Sequence, residues 1–121
     1  MKRDEFEAEI IKVIKDLPDE FKNQLDNVEI TVESWPVRRD LKGARIGKGA
    51  SLFGLYRGIP KTKRNIYYSS PPDKITIFAG PILNHFNNND EIRDQIRKTV
   101  LHEIGHHFGM SEDRIRKAQD N

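Results

Sequence analysis

The sequence predicts an α+β fold in which a small sheet packs with an N-terminal helix, a long helix near the C-terminus and a short last helix. Three observations predict it. Phe6, Ile10, Val13, Ile14 and Leu17 recur at helical offsets with charged residues between them. Val28, Ile30 and Val32 alternate with Glu29, Thr31 and Glu33, the pattern of a strand with one face on the core and one in water. From about Asp90 to Phe108 a second helical pattern begins polar and ends apolar. The 121 residues are read as one domain, 1–121, with a modest core.

Each element carries its own punctuation. Pro18 ends the first helix, because the residue before a proline is pushed out of helical geometry, and Pro18-Asp19-Glu20 opens a short piece that buries Phe21 and Leu25. Asp26-Asn27 breaks that piece, and Trp35-Pro36 closes the strand that follows. Leu52 to Tyr56 is a short apolar run fit for a strand, and Ile66-Tyr67-Tyr68 is a further strand fragment. Ile75, Ile77 and Phe78 follow the turn chemistry of Ser69 to Asp73 and make the best second strand, stopped by Gly80-Pro81. Asn88 and Glu91 are spaced as a capping box for the long helix. Val100, Ile104 and Phe108 are expected to pack on one side of it, and Gly105 marks a close neighbour.

Composition narrows the classes. A hydrophobic share of 36% with 33% charged residues fits a globular chain and excludes a disordered or membrane-spanning one. The first residues are amphipathic and include acids, unlike a secretory signal, so a cytoplasmic location is expected. Cysteine is absent, which excludes disulfides and thiolate metal ligands. The net charge of +2 conceals a basic segment from Val37 to Arg64 with nine basic residues and one acid, Asp40. Its glycines and weak periodicity predict a loop between Val37 and Ser51.

The chemistry concentrates in His102-Glu103-Ile104-Gly105-His106-His107-Phe108-Gly109-Met110-Ser111-Glu112. On a helix, His102 and His106 share a face, so their imidazoles can ligate one cation, while Glu103 at the edge of that face can act on water without binding the metal. A straight helix cannot supply a third ligand just beyond His106. Gly109 can take a left-handed conformation and reverse the chain, and Ser111 caps a last helix whose first turn holds Glu112 and Asp113. Glu112 is the expected third ligand, with Asp113 as the substitute. His107 points away from the ligand face and is expected to pack or to support the ligands.

This motif resembles that of the zincin metallopeptidases, and within them the small family of minimal zincins. The resemblance extends over Leu17-Pro18, Asp26-Asn27-Val28, Gly54-Leu55-Tyr56, Gly58-Ile59-Pro60, Ile75 to Pro81 and Thr99 to Gly109. It implies a few helices around a small mixed sheet, with one zinc ion per chain held by His102, His106 and Glu112 and with Glu103 as general base. Metzincins share the glycine turn but carry histidine or aspartate where this chain has Glu112. Related zincins also pair an extended peptide with a strand edge beside the active helix, for which Ile75 to Ala79 is the candidate.

The expected reaction is therefore zinc-dependent hydrolysis of a peptide or protein substrate. Tyr56, Tyr67, Tyr68 and His85 are candidates by chemistry for stabilising the oxyanion. Two other classes stay open. One is a zinc-stapled structural or regulatory module, in which a non-ligand carboxylate such as Glu103 would have no use. The other is binding of nucleic acid or an acidic partner through the basic segment 37–64, which carries no recognised binding motif.

Overall fold

In the computed structural model, which describes residues 1–26, 28–37, 52–57 and 73–120, the N-terminal periodicity becomes helix α1, Arg3–Lys15. Asp4 and Glu5 occupy its first turn and Lys12 and Lys15 its last, matching the helix dipole at both ends. Phe6, Ile10 and Val13 are buried along one stripe. Leu17 lies beyond the helix end and is buried too. Pro18 caps α2, Asp19–Lys22, which runs on into a 3-10 turn, Asn23–Leu25.

Among the described residues three strands follow: β1, Val28–Glu33; β2, Gly54–Arg57; and β3, Asp73–Phe78. They form a mixed sheet in the order β1-β3-β2, with β1 parallel and β2 antiparallel to β3. The small α+β fold with a mixed sheet expected from the sequence is thus the fold observed. One expectation is overturned. Residues Ile75 to Ala79 are not an open edge, because β3 is paired on both sides and Ala79 already belongs to the next helix. Among the described residues β2 is the outer strand nearest the long helix, and the burial of Ile75, Thr76, Ile77 and Phe78 reflects the central place of β3.

A second correction concerns Gly80-Pro81. These residues do not simply stop the strand: they lie in the first turn of α3, Ala79–His85, where proline needs no hydrogen-bond donor. Gly80 is there for room. A Cβ at this position would come within 2.3 Å of the Trp35 ring and 2.4 Å of the Ser34 carbonyl oxygen, to which the Gly80 N–H donates.

Helix α4, Asn89–His107, is the long C-terminal helix. The Asn88 side chain accepts the Glu91 N–H at 2.8 Å, as the capping spacing predicts. Ile92, Ile96, Val100 and Ile104 form a buried ladder at intervals of four, facing α1 and the sheet. The last helix is α5, Glu112–Asp120, with Ile115 and Ala118 buried. No helix among the described residues is long and apolar enough to cross a membrane. The fragment Ile66 to Tyr68 and most of the basic segment fall outside the described residues.

Candidate metal centre

The C-terminus of α4 is shaped to turn the chain back on itself. Gly109 has φ of 71°, the Met110 N–H donates to the Gly105 carbonyl at 2.8 Å, and the Gly109 N–H donates to that of His106 at 3.2 Å. This pair of bonds is the glycine-dependent helix stop in which the left-handed residue satisfies the final carbonyls. Ser111 then caps α5, its hydroxyl accepting the Arg114 N–H at 3.1 Å. Helices α4 and α5 meet where Gly105 lacks a side chain: a Cβ there would lie 2.4 Å from Cγ1 of Ile115. Arg114 continues the anchoring of α5 by pairing with Glu20 of α2 and covering the Phe21 ring.

This reversal brings His102, His106 and Glu112 together, each offering a ligand atom within 4.8 Å of the others. The imidazole centroids of His102 and His106 are 4.1 Å apart, and Nε2 of His106 lies 2.5 Å from Oε1 of Glu112. The hydrogen bond from His106 holds the Glu112 carboxyl below its ordinary range, keeping it ionised and fit to ligate. All three side chains are solvent-accessible. Two imidazoles and one carboxylate, with no thiolate, form a group that can hold a metal ion, and the donor set suits zinc. Asp113 is not in this group. Its carboxylate faces Arg116, one turn along α5, at 4.0 Å.

Glu103 stands beside the group and outside it. Its side chain is only 22% exposed, Oε2 accepts the peptide N–H of Tyr56 at 3.1 Å, and Oε1 is 3.8 Å from Nδ1 of His102. Burial raises its pKa, and the Tyr56 N–H and the nearby imidazoles oppose that rise only in part. A carboxylate whose pKa is raised is the stronger base for taking a proton.

The contact with Tyr56 joins residues 47 positions apart and has no signal in the sequence. The Tyr56 side chain is equally committed. Its hydroxyl donates to Oδ2 of Asp73 at 2.9 Å, and its ring stacks on His107 at 3.6 Å and 12°. His107 thus packs on β2, as its position off the ligand face implies. Phe108 differs from expectation: it is 41% exposed instead of packing beside Val100 and Ile104. Helix α4 ends at His107, so residue 108 has left the helical path and meets Tyr56 edge-on, with centroids 6.3 Å apart. His85 packs against Phe53 and Phe86. Tyr67 and Tyr68 lie outside the described residues.

The fold and this site define a zincin-like protein. Residues 25–121 match the zincin-like metallopeptidase family, and the chain belongs to that family. No curated protein matches it. Among solved structures it is similar to a conserved hypothetical protein from Thermus thermophilus, with a TM-score of 0.58 and 19% identity. That similarity covers 89% of this chain and 94% of the other, and extends to the fold.

Proposed function

We propose that the protein is a zinc-dependent hydrolase of the metallopeptidase type, with His102, His106 and Glu112 holding one zinc ion and Glu103 acting as general base. One observation carries this reading: a half-buried carboxylate lies next to the three-residue group without belonging to it. A site that served only to staple helices would have no use for such a group. Helices α4 and α5 are in any case already joined by the Gly105–Ile115 contact.

Zinc in this position supplies a Lewis acid that activates water and polarises a carbonyl. The residues of the chain do the rest. With Oε2 of Glu103 occupied by the Tyr56 N–H, Oε1 takes the proton of the attacking water as the new C–O bond forms. The same carboxylic acid returns that proton to the leaving nitrogen as the C–N bond breaks. Burial favours the first half of this exchange, because it keeps the carboxyl's proton affinity above that of a solvated glutamate. An extended peptide would lie along β2, among the described residues the outer strand that touches Glu103, and not along β3.

The decisive experiment compares wild type with Glu103→Gln for zinc content and for cleavage of a peptide library. Retained zinc with hydrolysis reduced by about 10²- to 10⁴-fold supports the assignment. Equal cleavage by the two proteins rejects it.

A further inference from the structure

Tyr56 occupies a position of β2 whose peptide group turns away from the sheet. The Phe78 N–H donates to the Phe53 carbonyl at 2.8 Å, and the register pairs Leu55 with Thr76 and Tyr56 with Ile75. In an antiparallel pair, hydrogen-bonded and non-hydrogen-bonded positions alternate. Residues 53, 55 and 57 therefore bond to β3, and the N–H of Tyr56 points outward. Glu103 accepts it.

Helix α4 holds this residue at two points. Glu103 and His107 are four apart and so lie on one face of α4, one turn from each other. The first takes the backbone N–H of Tyr56, and the second stacks on its ring at 3.6 Å. Asp73, at the start of β3 and diagonal to Tyr56 in the register, accepts the phenol at 2.9 Å, and the same Oδ2 lies 4.0 Å from Nε2 of His107. The ring is thus fixed by helix and sheet together. A fixed ring fixes the peptide group beneath it.

We propose that Tyr56, gripped by Asp73 and His107, is the positioning residue for Glu103, holding Oε2 through its peptide N–H so that Oε1 faces the substrate water. The proposal rests on the hydrolase reading for its consequence and on geometry for its mechanism. It assigns the tyrosine hydroxyl to Asp73 and not to an oxyanion, which separates the two roles by experiment.

Two measurements test it. The first is amide hydrogen exchange by NMR, which needs neither substrate nor activity. Glu103→Ala should speed exchange at the Tyr56 N–H at least about tenfold, with Leu55 and Arg57 unchanged because their N–H groups bond to β3. Unchanged exchange at Tyr56 overturns the proposal. The second is kinetic. Tyr56→Ala and Asp73→Ala should lower kcat by about 10- to 100-fold, the usual cost of losing a supporting partner, with KM within about twofold and zinc content intact. Asp73→Asn should restore most of the loss, since an amide oxygen still accepts the phenol. Tyr56→Phe combined with Asp73→Ala should be no worse than Asp73→Ala alone. Additive losses, or a change confined to KM, overturn the proposal. A wild type that cleaves no peptide rejects the hydrolase reading instead, and the exchange comparison still decides whether the Tyr56 N–H holds Glu103.

Discussion

Nε2 of His106 lies 2.5 Å from Oε1 of Glu112 although a helix end and a chain reversal separate the two residues. That approach is what turns a helical histidine pair into a three-residue group that could hold a metal ion. Zinc content should therefore be about one per chain, and it should fall for His102→Ala, His106→Ala and Glu112→Ala but not for Asp113→Ala. Affinity losses at the three ligands should exceed the roughly 10- to 100-fold typical of supporting residues. Elemental mass spectrometry on dialysed protein reads this directly. Retention by Glu112→Ala together with loss by Asp113→Ala would move the third ligand.

Because the three residues of the proposed zinc site come from α4 and α5, zinc binding there would be linked to folding. Zinc at about 100 times its dissociation constant should raise the unfolding free energy by about 2.7 kcal/mol, and a chelator should remove that increment. Thermal unfolding of wild type and His106→Ala, with and without zinc, checks the linkage. A zinc-induced shift of equal size in both proteins would place the ion elsewhere.

The ligand motif and the capping residues were legible because they are local. Helix spacing alone puts His102 and His106 on one face, and Asn88, Gly109 and Ser111 act within a few residues of themselves. The contacts that place Glu103 were not legible, since its partner Tyr56 is 47 positions away on a strand whose neighbour is set by the whole sheet. Sheet order misled in the same way: the alternation of Ile75 and Ile77 reports burial, not whether both edges are paired. Gly80-Pro81 has the punctuation of a strand stop, whereas the glycine makes room for Trp35 and the proline sits harmlessly in a first turn. The helical period extended one residue past the helix end at His107 puts Phe108 in the core, where the structure does not.

Acid stability should depend on Glu9. It is buried on α1 and accepts Nε of Arg93 on α4 at 2.6 Å, and that hydrogen bond holds its carboxyl below the ordinary range against the cost of burial. The folded-state pKa is lowered, so the unfolded state binds the proton more readily. The resulting stability is fully present above the unfolded carboxyl value near 4.5 and is lost as pH falls through the lower folded value. Glu9→Gln should be less stable than wild type at pH 7, and its stability should decline less between pH 4.5 and 2. Denaturant midpoints measured across that range test the sign. Parallel curves for the two proteins would remove Glu9 from the acid response.

Gly105→Ala should cost about 1–3 kcal/mol, the usual penalty for overpacking a filled interface, because its Cβ would lie 2.4 Å from Ile115. The clash should be relieved by Ile115→Ala, which removes both Cγ1 and Cδ1, the atoms 2.4 and 2.6 Å from that Cβ, so the double variant should be more stable than the sum of the two single losses implies. Since Ile115 lies one turn after Glu112, pushing α5 away also displaces Glu112 from His102 and His106. Metal affinity should fall with stability in Gly105→Ala and return as the clash is relieved in the double. Urea unfolding and zinc titration of the two proteins separate the cases, and full affinity in a destabilised Gly105→Ala would uncouple the interface from the site.

Gly109 poses the opposite problem, and it isolates the turn from the packing. An added Cβ there meets nothing within 4 Å, so a substitution costs only what a side chain pays for φ of 71°, on the order of 1–2 kcal/mol for alanine. Asparagine visits the left-handed region more readily than other side chains, so Gly109→Asn should lose less, and Gly109→Val, branched at Cβ, should lose most. The strain acts between His106 and Glu112 and nowhere else in the site. Zinc affinity should therefore follow the order Gly, Asn, Ala, Val, while Glu103 keeps its bond to Tyr56 and the exchange rate of that N–H stays constant along the series. Isothermal titration with zinc, paired with the exchange measurement, checks both halves. An affinity independent of the residue at position 109 would mean that α5 is held in place by Ile115 and Arg114 alone, with the glycine turn serving only to end α4.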